Sequence, residues 1–204
     1  MTYAIGLTGS IATGKSTAAT FFERHAIDVI SADDIARALT KPGEPAFTSI
    51  VSHFGQGILK KNGELNRRAL RKKIIRHPAE RRWLEGYLHP QIRARIENAL
   101  CDVTSPYAMI EIPLLINREH YPYLKRVLLL ETDQELQLKR LMERDQCTYD
   151  DAIAMLKLQP REELRRVIAD DVIRNDGNPE HLEDALFALH ENYLIYSDDN
   201  GIKN

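Results

Sequence analysis

The 204-residue chain is poor in cysteine. Its two, Cys101 and Cys147, stand too far apart for a Cys-x-x-Cys metal pair and are too few to frame a small secreted domain. Free thiols are expected. Long apolar runs are also missing, since the strongest, such as residues 127–130, stop far short of the roughly 18 positions a membrane span needs. No membrane partner is expected. The amino terminus, Met-Thr-Tyr-Ala-Ile-Gly-Leu-Thr, has no basic leader, so no signal peptide is expected and a reducing cytoplasm is the expected compartment. Neither sign of charge is in excess: Lys and Arg total 28 against 30 Asp and Glu, a formal net charge of -2. That balance argues against a protein that coats nucleic acid. Glycine and proline are ordinary in number, which excludes collagen-like and mucin-like chains, and there are no internal repeats. A hydrophobic fraction of 43% over this length suits one well-buried core. A monomer is expected, with an oligomer as the alternative.

Residues 3–8 are apolar and partly β-branched, and a loop of small residues follows at 9–14. A buried strand feeding a turn is expected. Residues 15–25 then read as a helix that turns Ala18, Ala19, Phe21 and Phe22 to a sheet, and 27–30 as a second strand, completing a parallel βαβ unit. From Asp33 to about Leu100 the pattern is helical, interrupted at Lys41-Pro42-Gly43, Gly55-Gln56-Gly57 and Lys61-Asn62-Gly63, so a long insertion is implied. Strands resume at 107–112 and 126–131, with a helix over 133–143. Two short helices divided at Gln159-Pro160 fill 149–168 and suit a mobile hairpin over the core. An edge strand at 171–174, a turn at Asn175-Asp176-Gly177-Asn178 and an amphipathic helix over 180–196 close the pattern.

Gly9-Ser10-Ile11-Ala12-Thr13-Gly14-Lys15-Ser16 fits G-x-x-x-x-G-K-[ST] at every fixed position, between a predicted strand and a predicted helix. The glycines let the backbone curl so that successive N–H groups converge on phosphates, and the helix amino terminus adds a favourable field. Lys15 is expected to reach the β and γ phosphates and Ser16 to hold Mg²⁺. A nucleoside triphosphate site is the reading. The Asn-Lys-x-Asp motif with which GTPases read their base is missing.

Other candidates carry two readings each. Asp33 follows the second strand at the sheet edge where ligands bind in open α/β folds; it either orients a hydroxyl and accepts its proton or caps the next helix. Glu111 ends a strand, either to hold Mg²⁺ through water or to face solvent. Arg140 with Arg144, and Arg161 with Arg165, are spaced four apart on predicted helix faces. They suit a transferring phosphoryl group, or an ordinary salt-bridged surface. Residues 60–82 hold ten basic and two acidic side chains, read either as a solvated helix face or as a region that receives a phosphorylated acceptor. His89-Pro90 is read as part of a substrate region or as a helix break.

Taken in order, Gly6-Leu7-Thr8-Gly9 with the phosphate loop, Ala32-Asp33 with Ile35-Ala36-Arg37, Leu65-Asn66-Arg67-Arg68-Ala69-Leu70, His89-Pro90-Gln91-Ile92, Pro113-Leu114-Leu115, the stretch from Arg140 to Asp145, Gln159, and Ala169-Asp170-Asp171-Val172-Ile173 with Asn175 and Gly177 resemble the dephospho-coenzyme A kinase family nearly end to end. The resemblance implies an α/β phosphate-loop NTPase fold with a five-stranded parallel sheet flanked by helices. It implies a core at about 1–32, 105–145 and 169–204, a helical substrate-binding insertion at about 33–104 and a lid at about 146–168. It implies ATP and dephospho-CoA as substrates, Mg²⁺ as cofactor, and transfer to the ribose 3′-hydroxyl. Asp33, Lys15 and Arg140 are then the expected catalytic residues. Gly9, Ala12, Thr13, Gly14, Lys15, Ser16, Thr17, Arg144 and Asn175 are expected on ATP, with Asn175 near the adenine. Thr8, Asp33, Arg67, His89, Ile92, Leu114 and Arg161 are expected on dephospho-CoA, and Ser16, with Glu111 through water, on Mg²⁺. The chain departs from the family pattern at Ser31, where the family usually has an aspartate, and at Asn117, where it usually has a glutamate. A kinase for another small alcohol or nucleoside monophosphate, and a nucleotide-gated regulatory module, are the competing readings.

Overall fold

A computed structural model describes residues 2–201. Five strands, β1 (Tyr3–Gly9), β2 (Asp28–Ser31), β3 (Tyr107–Glu111), β4 (Leu124–Glu131) and β5 (Asp171–Arg174), form one parallel sheet in the order β2-β3-β1-β4-β5. Every residue of the central β1 is buried, as a parallel strand covered on both faces requires, and its near-continuous apolar sequence follows from that. Glu111 pairs in register with Leu7, and Leu130 with Gly9, so the carboxyl ends of the three central strands share one edge. That is the edge at which open α/β sheets bind ligands.

The chain divides into two compact units, residues 1–31 with 99–204, and residues 32–98. The first holds the sheet with α1 (Lys15–Arg24), α6 (Gln134–Asp145), α7 (Tyr149–Lys157), α8 (Glu162–Arg166) and α9 (Pro179–Gly201). Its core joins Ile5, Leu7, Phe21, Phe22, Tyr107, Met109, Leu128, Leu130, Leu186 and Tyr193. The second holds α2 (Ala32–Leu39), α3 (Pro45–Phe54), α4 (Arg67–Arg76) and most of α5 (Pro78–Cys101). It has its own core of Ile50, Phe54, Ile58, Leu65, Leu70 and Leu84. An isolated antiparallel bridge between Leu59 and Leu65 closes the Lys61-Asn62-Gly63 turn, where Gly63 takes a φ of 81°. Asn66 then caps α4 by accepting the Ala69 N–H at 3.1 Å, satisfying one of the donors a helix start leaves open.

The helix-break reading of His89-Pro90 is corrected: α5 runs through Pro90. Proline inside a helix removes one hydrogen bond and crowds the carbonyl four residues back. Here that residue is Gly86, which is exposed, so its carbonyl can turn to water, and the Gln91 side chain donates to the neighbouring Tyr87 carbonyl at 2.9 Å.

Candidate active site

The phosphate loop leaves β1 at Gly9, whose φ is 155° and where a Cβ would lie 2.5 Å from the Leu130 carbonyl oxygen. Only glycine lets the chain turn this close to β4. The loop enters α1 through Gly14, with a φ of 102° and a would-be Cβ 2.5 Å from Asn175 Nδ2. Between them Ala12 takes a φ of 62°, a left-handed conformation that side chains with a Cβ rarely adopt and that clusters at ligand-binding loops. Thr13 Oγ1 donates to the Ser10 carbonyl at 3.0 Å, and Lys15 Nζ donates to the carbonyls of Gly9 at 2.9 Å and Ser10 at 2.7 Å. The ammonium is thus held over the loop. The first turn of α1 carries no acidic residue, so its N–H groups and dipole are left to attract an anion.

A cleft of about 550 Å³ opens on this loop, a volume within the range of small-molecule sites. Ala12, Gly14, Ser16 and Thr17 line one side, Arg140, Glu143 and Arg144 of α6 another, and Asn175, Gly177, Pro179 and Leu182 the remainder. Asn175, Arg140 and the loop form one hydrogen-bonded group. Asn175 Nδ2 donates to the Thr13 carbonyl at 2.9 Å, and Arg140 donates to the Ala12 carbonyl at 3.2 Å and to Asn175 Oδ1 at 3.3 Å. Arg144 is paired with Asp145 through two short hydrogen bonds, which hold its guanidinium pKa above the usual value.

Of the residues expected on ATP, Ala12, Gly14, Ser16, Thr17, Arg144 and Asn175 line this cleft together with Arg140, while Gly9, Thr13 and Lys15 build the loop behind it. Those expected on dephospho-CoA are spread more widely. Thr8 is fully buried at the end of β1, Leu114 is exposed beyond β3, and Arg161 is exposed at the start of α8; none lines the cleft. In the 32–98 unit, Asp33 stands exposed in the first turn of α2, past the cap position, so the capping reading is set aside. Arg67 lies within the field of Asp33 and donates to Thr40 Oγ1 at 2.8 Å; burial lowers its pKa, the nearby Arg37 lowers it further, and Asp33 opposes both. His89 and Ile92 lie one turn apart on α5, exposed and half-buried respectively.

Mg²⁺ takes few protein ligands in such sites, filling its octahedron from phosphates and water. The Ser16 hydroxyl on the cleft and the Glu111 carboxylate at the end of β3 are oxygen donors of the kind it prefers. No group of three or more His, Cys, Asp or Glu side chains that could hold a metal ion occurs among the described residues.

One residue escaped the sequence, and another stands where neither of its readings put it. Gln137 on α6 is buried and donates to the Ile11 carbonyl at 3.1 Å; nothing local marks a glutamine whose partner is 126 positions away. Arg165, read either as facing a transferring phosphoryl group or as salt-bridged helix surface, is 1% exposed, with Nη1 on the Pro160 carbonyl at 3.0 Å and its pKa lowered by burial.

Residues 3–181 match the dephospho-CoA kinase family. The dephospho-CoA kinase of Legionella pneumophila strain Paris is 48% identical over 95% of this chain and 96% of its own. Among solved structures, TT1252 from Thermus thermophilus aligns with a TM-score of 0.78 at 29% identity, covering 94% of this chain and 97% of that one. Dephospho-CoA kinase from Campylobacter jejuni aligns with a TM-score of 0.69, also at 29% identity, covering 98% of this chain and all of that one.

Proposed function

The chain belongs to the dephospho-CoA kinase family, and from that premise we propose how its residues move the γ-phosphoryl group of ATP to the ribose 3′-hydroxyl of dephospho-CoA, giving CoA and ADP. The observation that supports the reading most is the phosphate loop itself. Two glycines there have no room for a Cβ, a lysine is held over the loop, and an acid-free helix start opens on a cleft of about 550 Å³.

ATP enters with its phosphates on Gly9, Ala12, Thr13, Gly14, Lys15, Ser16 and Thr17 and its nucleoside towards Arg144, with Asn175 behind the loop. Dephospho-CoA is held by Arg67, His89, Ile92, Leu114 and Arg161, while Thr8, fully buried, supports the strand end from within. Asp33 orients the 3′-hydroxyl and accepts its proton as the oxygen attacks the γ phosphorus in line; the bond to the β–γ bridging oxygen breaks and ADP leaves. Lys15 and Arg140 meet the charge spread over the transferring group, which preorganised donors stabilise without reorganising. Ser16 directly, and Glu111 through water, would hold Mg²⁺, which when bound neutralises phosphate charge. Residues 146–168, with α7 and α8, serve as a lid whose closure excludes water and limits futile hydrolysis. The enzyme works in the cytoplasm.

Asp33→Asn tests the assignment of the base. Turnover should fall by about 100-fold or more, the scale of general base catalysis, with the KM for ATP little changed. Near-normal turnover would reject Asp33 as the proton acceptor.

A further inference from the structure

Three successive carbonyls of the phosphate loop are gripped from outside it. Gln137 Nε2 donates to Ile11, Arg140 Nη1 to Ala12 and Asn175 Nδ2 to Thr13, at 3.1, 3.2 and 2.9 Å. Gln137 is 8% exposed and Asn175 4%, so both contacts are made away from bulk water. The Asn175 amide orientation is itself fixed: Oδ1 accepts from Gly177 N–H at 3.1 Å and from Arg140 at 3.3 Å. A flipped amide would set donors against donors there and an oxygen against the Thr13 carbonyl.

A trans peptide unit is planar, with its C=O and its N–H pointing to opposite sides, and there is no cis bond in the loop. Gripping the carbonyls of residues 11, 12 and 13 therefore aims the N–H groups of Ala12, Thr13 and Gly14 the other way. It also holds Ala12 in its φ of 62°, a conformation that persists only when its surroundings impose it. We propose that Gln137 and Asn175 are positioning residues that set the loop's peptide planes so that three consecutive N–H groups face the phosphates of ATP. The proposal rests on the reading of the loop as a triphosphate site. It assigns Asn175 to the phosphates through the loop and not to the adenine ring.

The test uses the full chain with ATP, GTP and inorganic tripolyphosphate, which has no base. Gln137→Met keeps length and removes the donor; Asn175→Leu keeps approximate shape and removes the donor to Thr13 without adding charge. Each should weaken ATP and tripolyphosphate in parallel, by about three- to tenfold for one lost hydrogen bond, and leave the ATP-to-GTP affinity ratio unchanged. Weakening of ATP alone, a shifted ratio, or a lower Tm with both affinities intact would overturn the proposal. In the wild-type protein, independently of how the variants fold, the amide resonances of Ala12, Thr13 and Gly14 should move on titration with tripolyphosphate. Binding without movement of these three would overturn it as well, whereas no binding of ATP or tripolyphosphate to the wild type would defeat the triphosphate reading.

Discussion

Gly14 does two things that no other residue can do there. It adopts a φ of 102°, and it leaves room for Asn175 Nδ2 where a Cβ would stand 2.5 Å away. Gly14→Ala must therefore strain the backbone or displace the amide that holds Thr13, and we expect ATP affinity by calorimetry to fall more than about tenfold while far-UV circular dichroism stays that of the wild type. Unchanged affinity would mean that the loop tolerates another shape. The phosphate loop was legible in the sequence because its geometry admits few residue types at fixed spacings. Gln137 was not, because it looks like any helix residue until the fold supplies its partner; spacing singled out Arg165, but its burial comes only with the fold. For Asn175, sequence placed the residue at the site and geometry supplied its partners.

At the level of elements, α8 is joined to the end of β4 by charge. Arg166 forms a bidentate ion pair with the buried Glu131, and Glu162 hydrogen-bonds the same carboxylate. Burial and then Glu131 raise the Glu162 pKa above its ordinary 4.5, with Arg166 and Arg165 opposing. A carboxyl raised on folding adds stability that is fully present below the unfolded pKa and is lost as pH rises through the folded one. Glu162→Gln mimics the protonated form, so its Tm relative to wild type should climb as pH rises from below 4.5. A Tm difference independent of pH would show that Glu162 has no raised pKa. The elements themselves were readable from periodicity, including the division near Gln159-Pro160 and the edge strand β5. The error was at Pro90, where sequence signals a break but Gly86, four residues back, gives the helix room to continue.

Across the whole molecule the charge is unevenly distributed. Residues 60–82 carry ten basic and two acidic side chains, in a chain whose net charge is only -2. The 32–98 unit therefore carries a concentrated positive charge over a short stretch. If this stretch receives dephospho-CoA, the KM for that substrate should rise as salt goes from 50 mM to about 300 mM, because screening shortens the reach of exposed charge; a flat KM would place the recognition elsewhere. Each unit has its own apolar core, and Ile50→Ala, at a fully buried position of the smaller one, should cost about 2–5 kcal/mol in urea unfolding. A cost under about 1 kcal/mol would show that the site is not packed as described. The most direct measurement is of the reaction: purified protein with ATP, Mg²⁺ and dephospho-CoA, the product analysed by phosphorus NMR. ADP should appear in step with a new phosphate on the ribose 3′ oxygen. ATP turnover that dephospho-CoA does not stimulate, or phosphate arriving at any other position, would refute the assignment.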